Sequence, residues 1–245
     1  MFIPIGPEAQ VMLAICAFYL YDACIPLSAD AGLLRRARPG WRGLLAAQAF
    51  EVRWAYLAWP PLLLPHRPVY RLRWDPACVQ LPGDTRAMQA LKEHAGSFRG
   101  FALPLYGLGF TLFALLPAAL FIWPSDAAQL SALALIYGFA LWIALLTRRH
   151  GRRGHTPLRA ARAVAVQAIL CPPFALNAVR KLSAAHVPTC DLLQAARHLL
   201  RRDDWRDFAQ RAQAVVDSAM DEAQAENDLE RVRQLRVARD RLGER

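Results

Sequence analysis

The chain has 245 residues, a formal net charge of +10 and 55% hydrophobic residues. The apolar residues are gathered in blocks, which excludes a single soluble globule of even pattern. The basic residues are segregated too: of 30 Lys and Arg, 11 lie between Ser28 and Gly100 and 19 after Thr147. Only Lys92 and Lys181 are lysines, so the arginine- and alanine-rich balance fits a GC-rich bacterial genome. With no recognisable basic docking element, it speaks against a nucleic-acid partner.

Residues 9–27 are largely apolar and contain no Asp, Glu, Lys, Arg or His apart from Asp22, and the tail ahead of them carries Glu8 and no positive charge. This predicts a first membrane span with the N-terminus outside. A cleaved signal peptide needs a basic start, whereas residues 1–10 have no Lys or Arg. A lipoprotein box before Cys24 needs small residues where Tyr21 and Asp22 stand. An acid inside a span is by default a candidate functional residue. Asp22, near the cytoplasmic end and beside tyrosines, better suits an interfacial role, paired with an arginine of the next loop, than a proton or ion site. Cys16 and Cys24 lie ~12 Å apart along one helix, too far to bridge, and Cys78, Cys171 and Cys190 are expected in the reducing cytoplasm.

In the loop 28–100, Arg35, Arg36, Arg38 and Arg42 with Leu33, Leu34 and Trp41 predict a short segment lying along anionic headgroups. Phe50, Val52, Trp54 and Tyr56 alternate with Glu51, Arg53 and Ala55, and Tyr70, Leu72 and Trp74 alternate with Arg71 and Arg73. Period two predicts two short strands, paired with each other. The proline-rich stretch 59–68 between them can be neither strand nor helix and is expected to touch the membrane or a partner. Asp84 is placed to cap a helix through Ala95, with Met88 and Leu91 on its apolar side.

Residues 101–123 and 127–147 contain no Asp, Glu, Lys, Arg or His, and each is long enough to cross a ~30 Å hydrocarbon core as a helix. The link of Pro124, Ser125 and Asp126 permits only a tight hairpin, so both outer ends share one side. The charge rule makes that side cytoplasmic. Pro104 and Pro117 weaken the first of these spans, Gly107, Gly109 and Thr111 give it a low-profile face, and Ser131, Ala134 and Gly138 offer the second a small-residue face. Such faces suit helix packing within the chain or on another subunit equally.

The run from Arg148 to His155 is a stop-transfer signal, in which His150 and His155 read as solvated loop residues because metal sites need three or four supported ligands. Thr156 and Pro157 mark a helix start. The apolar segment 163–179 is short and broken by Pro172 and Pro173. As a fourth span it would export the arginine-rich C-terminal region, so a re-entrant or interfacial broken helix is expected, anchored by Arg180 and Lys181. Asp22, Gln167, Cys171, Pro172, Pro173, Asn177 and Arg180 are therefore the candidate functional or packing residues. Gln167 and Asn177 suit the lining of a lipid or ion site, but capping of backbone freed by the prolines is the simpler reading. His186, Cys190, Asp191 and His198 are of metal-ligand or catalytic type, but Pro188 breaks the helical register between His186 and Cys190, and the region reads as a helix start.

From Trp205 onward, Phe208, Ala212, Val215, Val216, Ala219 and Met220 recur at three and four, behind Asp203, Asp204 and Asp207 at the helix start. Trp205, Phe208, Val215, Val216 and Met220 are the candidate partner-docking residues. Beyond Asn227 the stripe thins to Leu229, Val232, Leu235 and Leu242. One stripe must pack on the strand unit, on the membrane segment or on another protein.

The expected architecture is thus an α-helical integral membrane protein with three transmembrane helices, N-terminus out and C-terminus in, a broken re-entrant or interfacial helix, a two-stranded cytoplasmic unit and an amphipathic helical tail. Its segments are 1–27, 28–100, 101–147, 148–189 and 190–245, in a bacterial inner membrane. Without a nucleotide loop, metal spacing or nucleophile elbow, no catalytic residue, metal or cofactor is expected. The leading functional expectation is an accessory, assembly or scaffolding subunit whose partners are anionic lipid headgroups and other proteins or copies of itself. A transporter or channel subunit and a lipid-directed enzyme at the cytoplasmic face are the alternatives.

Overall fold

Long runs without charge must satisfy their backbone groups internally, and helices do so locally. The computed structural model describes residues 6–37, 39–52, 55–74, 84–186 and 188–243; Arg38, Arg53, Trp54 and Cys78 lie outside the described residues. Helix α1 (Pro7–Ala23) leads to strands β1 (Ile25–Leu27), β2 (Ala31–Arg36), β3 (Trp41–Leu45), β4 (Phe50–Val52), β5 (Ala55–Ala58) and β6 (Val69–Arg73). Then follow α2 (Thr85–Gly96), α3 (Ala102–Phe110), α4 (Asp126–Arg152), α5 (Leu158–Leu170), α6 (Pro172–Ala175), α7 (Ala178–Ala184), α8 (Leu192–Leu199), α9 (Arg202–Ala225) and α10 (Leu229–Gly243). The helical stretches Thr85–Ile122 and Asp126–Arg152 are long and apolar enough to cross a membrane.

Two compact units share the chain discontinuously. The first comprises Met1–Cys24, Pro60–Pro68 and His94–His186. Its centre is the hairpin of α3 and α4, with α5 laid along α4 and Phe101, Leu105, Leu108, Ile136, Ile143 and Val164 in the core. Past α3 the helix widens into π turns at Thr111–Leu115 and Ala118–Ile122. Pro117 between them has no N–H to give, and the Thr111 hydroxyl donates to the Gly107 carbonyl at 2.8 Å. Gly107 admits the ring of Phe139, which would lie 2.5 Å from a Cβ added there, so half of the expected low-profile packing occurs inside the chain. The other half does not: Ser131, Ala134 and Gly138 are exposed, with nothing within 4 Å of a Cβ added at Gly138. Helix α4 instead packs through Ala132, Ile136, Ala140, Ile143 and Ala144. Leu103, Phe110, Leu133, Leu141 and Trp142 face outward.

The second unit comprises Ile25–Trp59, Val69–Glu93 and Val187–Arg245. Six strands replace the expected two, in antiparallel sheets ordered β1-β5-β4 and β3-β2-β6. The run read as one strand from Phe50 folds back on itself, Phe50 opposite Leu57, and the Tyr70 strand pairs with β2, Leu34 opposite Tyr70. In place of a segment lying along headgroups, β2 and β3 pair antiparallel and turn Leu33, Leu34 and Trp41 into the core. The sequence AGLLRR shows no alternation because β2 is covered on both faces: Ala31 and Leu33 join Leu27, Ala46, Ala58 and Val69, while the opposite face receives helices. Gly43 is required there, since a Cβ would meet the Phe208 ring of α9 at 2.7 Å.

The tail is a helical hairpin, turned at Asn227 with φ 60°. Asp228 caps α10 by accepting from the Arg231 N–H at 3.0 Å, and Val232, Leu235, Ala238 and Leu242 are buried. At the other end of the unit's helices, Asp191 caps α8 by accepting from Leu193 N–H at 2.7 Å, as a helix start there requires.

Candidate functional site

Pro172 and Pro173 set the local geometry. Neither can donate a backbone hydrogen bond, so α5 stops at Leu170 and Cys171 turns at φ −140° before the single turn of α6. A second short helix, α7, then starts after Asn177, whose side chain makes no capping bond. Freed from capping, the Asn177 amide points into the first unit.

There it joins a buried polar cluster. Asn177 is fully buried and Arg180 is 3% exposed. The Asn177 Nδ2 group donates to Asp22 Oδ2 at 3.0 Å and to the Tyr19 carbonyl at 3.3 Å, and the Arg180 guanidinium donates to Asn177 Oδ1. A second arm of Arg180 donates to the carbonyls of Pro61 at 2.8 Å and Leu62 at 3.4 Å. The Tyr19 hydroxyl also donates to Leu62. Lys181 Nζ lies 2.6 Å from Asp22 Oδ1, donates to Gln167 Oε1 at 2.9 Å and stands 4.8 Å over the Phe174 ring.

This cluster is a four-way tie. It joins α1, the proline-rich stretch, α5 and the α6–α7 break within one unit, and it satisfies carbonyls that the prolines of residues 60–65 leave without a helix or strand partner. Asp22, Gln167, Asn177 and Arg180, expected from sequence, come together. Cys171, Pro172 and Pro173 supply the bend. Two expectations are corrected: the partner of Asp22 is Lys181 rather than an arginine of the next loop, and neither Gln167 nor Asn177 caps the backbone around Pro172 and Pro173, since Gln167 accepts from Lys181 and Asn177 reaches Asp22 and the Tyr19 carbonyl. Sequence reasoning missed Tyr19 and the carbonyls of Pro61 and Leu62, and it placed Lys181 at the headgroups. The signal available was the pair Arg180 and Lys181 directly following an apolar segment that itself holds an Asn.

The docking stripe has a different fate. Trp205, Phe208 and Val216 are buried within the second unit, so the strand unit and α10 cover them and they present no open docking face. Val215 and Met220 are half-buried, and Val215 borders a groove of about 630 Å³ that also touches Tyr56, Trp74, Arg211 and Glu222. Burial, its main cause, pushes the Cys190 thiol up to about 11, opposite to the shift that activates a nucleophilic cysteine.

A second group escaped the sequence reading. His94, His150, His155 and His186 gather in the first unit, with His94 and His186 stacked at 4.0 Å and His150 and His155 at 5.1 Å between ring centroids. His150, read as a solvated loop residue, is the buried end of α4 and stacks on Phe98 at 4.6 Å. Among the described residues, no three His, Cys, Asp or Glu side chains are arranged to hold a metal ion.

Comparison with protein-family models, with curated proteins and with solved structures finds no match.

Proposed function

We propose that the chain is a three-span protein of a bacterial inner membrane, N-terminus out and C-terminus in, that serves as an accessory, assembly or scaffolding subunit of a membrane complex. Two helices of the first unit have the length and composition to span, and α1, at 17 residues or ~25 Å, supplies the third crossing. The division of the chain supports this topology. The second unit draws on residues both before Glu93 and after Val187, so the chain between them must cross an even number of times. The α3–α4 hairpin supplies two crossings, which leaves the broken segment 163–179 to enter and return, or to lie at the interface, as its prolines and its length favour.

The observation that carries the functional reading is where the polar groups are used. Asp22, Asn177, Arg180 and Lys181, which a transporter or lipid enzyme would turn toward its substrate, are bound to the chain's own side chains and carbonyls. Meanwhile the outward face of α4 keeps large apolar residues beside the open surface at Gly138. Such a face is suited to another helix.

Gentle-detergent purification of the tagged protein followed by native mass analysis tests this. The expected result is a stoichiometric set of other proteins, lost in Gly138→Leu with the chain still folded, whereas Gly107→Leu, which collides with Phe139, damages the fold itself. A lone species whose state is indifferent to Gly138→Leu contradicts the reading.

One observation favours a second reading, a site for a lipid or ion at the cytoplasmic face. Arg180 Nε is buried with no hydrogen-bond partner among the described residues, and Lys181 beside it is 23% exposed at its side chain. A homo-oligomer that retains an anionic phospholipid, and loses it in Lys181→Ala, would establish this reading in place of the first.

A further inference from the structure

We propose that His94, His150 and His186, with His155 packed beside them, form an acid-sensitive clasp that holds the first unit closed while those three imidazoles are neutral and releases when they take up protons. Four of the six histidines of the chain meet here from four different places: the end of α2, the end of α4, the α4–α5 connection and the residues after α7. His94 lies 5.7 Å from His150 and 6.5 Å from His155. Phe98 stands edge-on to His94 at 5.1 Å, and Phe101 edge-on to His150 at 6.1 Å. His94 and His150 are each 5% exposed. Imidazoles packed face to face and against phenyl rings are stable when uncharged, and an imidazolium there would lose water and meet its own kind.

Burial, then the charges of His186 and His150, oppose a proton on His94, while a hydrogen bond to the His155 backbone favours one. On α2, Lys92 and Glu93 are exposed, and the Glu93 carboxylate already accepts from Gln89 Nε2 at 2.8 Å. Arg99, Arg148, Arg149, Arg152 and Arg153 on the adjoining turns are exposed and positive, as are Arg159 and Arg162 on α5. Lys181 on α7 is engaged by Asp22. The charges that bear on His150 are those of His155 and Arg153. His186, outside the spans, is shifted down from its ordinary value by burial.

The position of the cluster gives the clasp a job. His94 and His186 are the first and last residues of the longest stretch of the first unit, so their stack holds together the two points where that stretch begins and ends. A histidine held neutral in the folded state contributes stability that is complete above its ordinary pKa of ~6.5 and lost as pH falls below it, because the open form binds protons that the closed form refuses. The opening constant then rises up to about tenfold per pH unit for each such imidazole.

Hydrogen exchange read by mass spectrometry on the full chain in detergent micelles, corrected for the intrinsic pH dependence of exchange, tests the clasp between pH 7.5 and 5.5. Peptides covering residues 147–158 and 182–190 should open at least about tenfold more at the lower pH. The double variant H150F/H186F keeps ring packing and removes two of the proton sites, so its acid response should fall by about tenfold or more. If that variant does not fold, H186Q, which removes a half-buried member, should reduce the acid response severalfold. An unchanged opening constant in the wild type, or an equal acid response in the variants, overturns the proposal. So does protection of the same peptides by micromolar zinc at pH 7.5 in the wild type alone, which would make the cluster a metal site.

Discussion

In the first unit the outer faces of α3 and α4 carry large exposed apolar side chains and Asp22, Arg180 and Lys181 are turned inward, whereas in the second the apolar stripe of α9 is covered and Arg231, Arg233 and Arg236 of α10 stand outside. The second unit follows the pattern that water selects: apolar residues in contact with sheet and helix, charges outside. The first inverts it, holding its segments together through a few buried polar bonds. Where the outer surface is apolar, burial of more apolar surface discriminates little between folded and loosened arrangements, and hydrogen bonds between buried side chains and loop carbonyls specify position. The contrast teaches where each unit is vulnerable, and substitutions can break it or sharpen it.

The largest effect is expected from Arg180→Met, which takes the donor from Asn177 Oδ1 and one of two donors from each of the carbonyls of Pro61 and Leu62. Removing one member of a buried charged network costs about 3–5 kcal/mol, read as a fall in the thermal midpoint in detergent and as new proteolysis within residues 60–68. Phe208→Ala should cost about 3–4 kcal/mol through the cavity left over Gly43, with proteolysis confined to the second unit. If Arg180→Met instead exposes only the second unit, the contrast fails. Asp22→Asn keeps the shape but withdraws the charge from Lys181, with an expected loss of about 1–2 kcal/mol. Smallest is Arg239→Ala: its 3.0 Å bridge to Asp217 joins half-exposed groups, worth about 0–1 kcal/mol and diminished by salt.

How much of this could be read from sequence differs between the units for physical reasons. The hairpin helices were legible because absence of charge over twenty residues is a long signal. The break at Pro172 and Pro173 was legible because proline acts locally, and the helix starts at Asp84 and Asp191 because caps do too. Strands β2 and β3 were missed: burial on both faces erases the period of two, and arginines at the strand ends mimic a headgroup segment. The partner of the Phe50 strand was misassigned because register depends on turns and on distant cover rather than on local pattern. The polar tie was half legible. Asp22, Gln167, Asn177 and Arg180 stood out as polar groups in or beside apolar runs, but their pairing spans 155 residues between Asp22 and Asn177, which no local pattern records. The histidines were lost for the same reason, each one ordinary in its own neighbourhood.

The central claim is the proposed topology, in which the outward face of α4 meets lipid and Ser125 lies outside the cell. Its most direct test is labelling of single-cysteine variants, made in a background without native cysteines, by a membrane-impermeant maleimide on intact and on opened cells. Ser125 and Gln224 are both exposed and serve as the two reporters, with Leu133 of the outward face as the third. The account predicts that Ser125→Cys reacts in intact cells, that Gln224→Cys reacts only after opening, and that Leu133→Cys reacts in neither. Reaction of Ser125→Cys only after opening, or of Leu133→Cys as readily as the others, would contradict it.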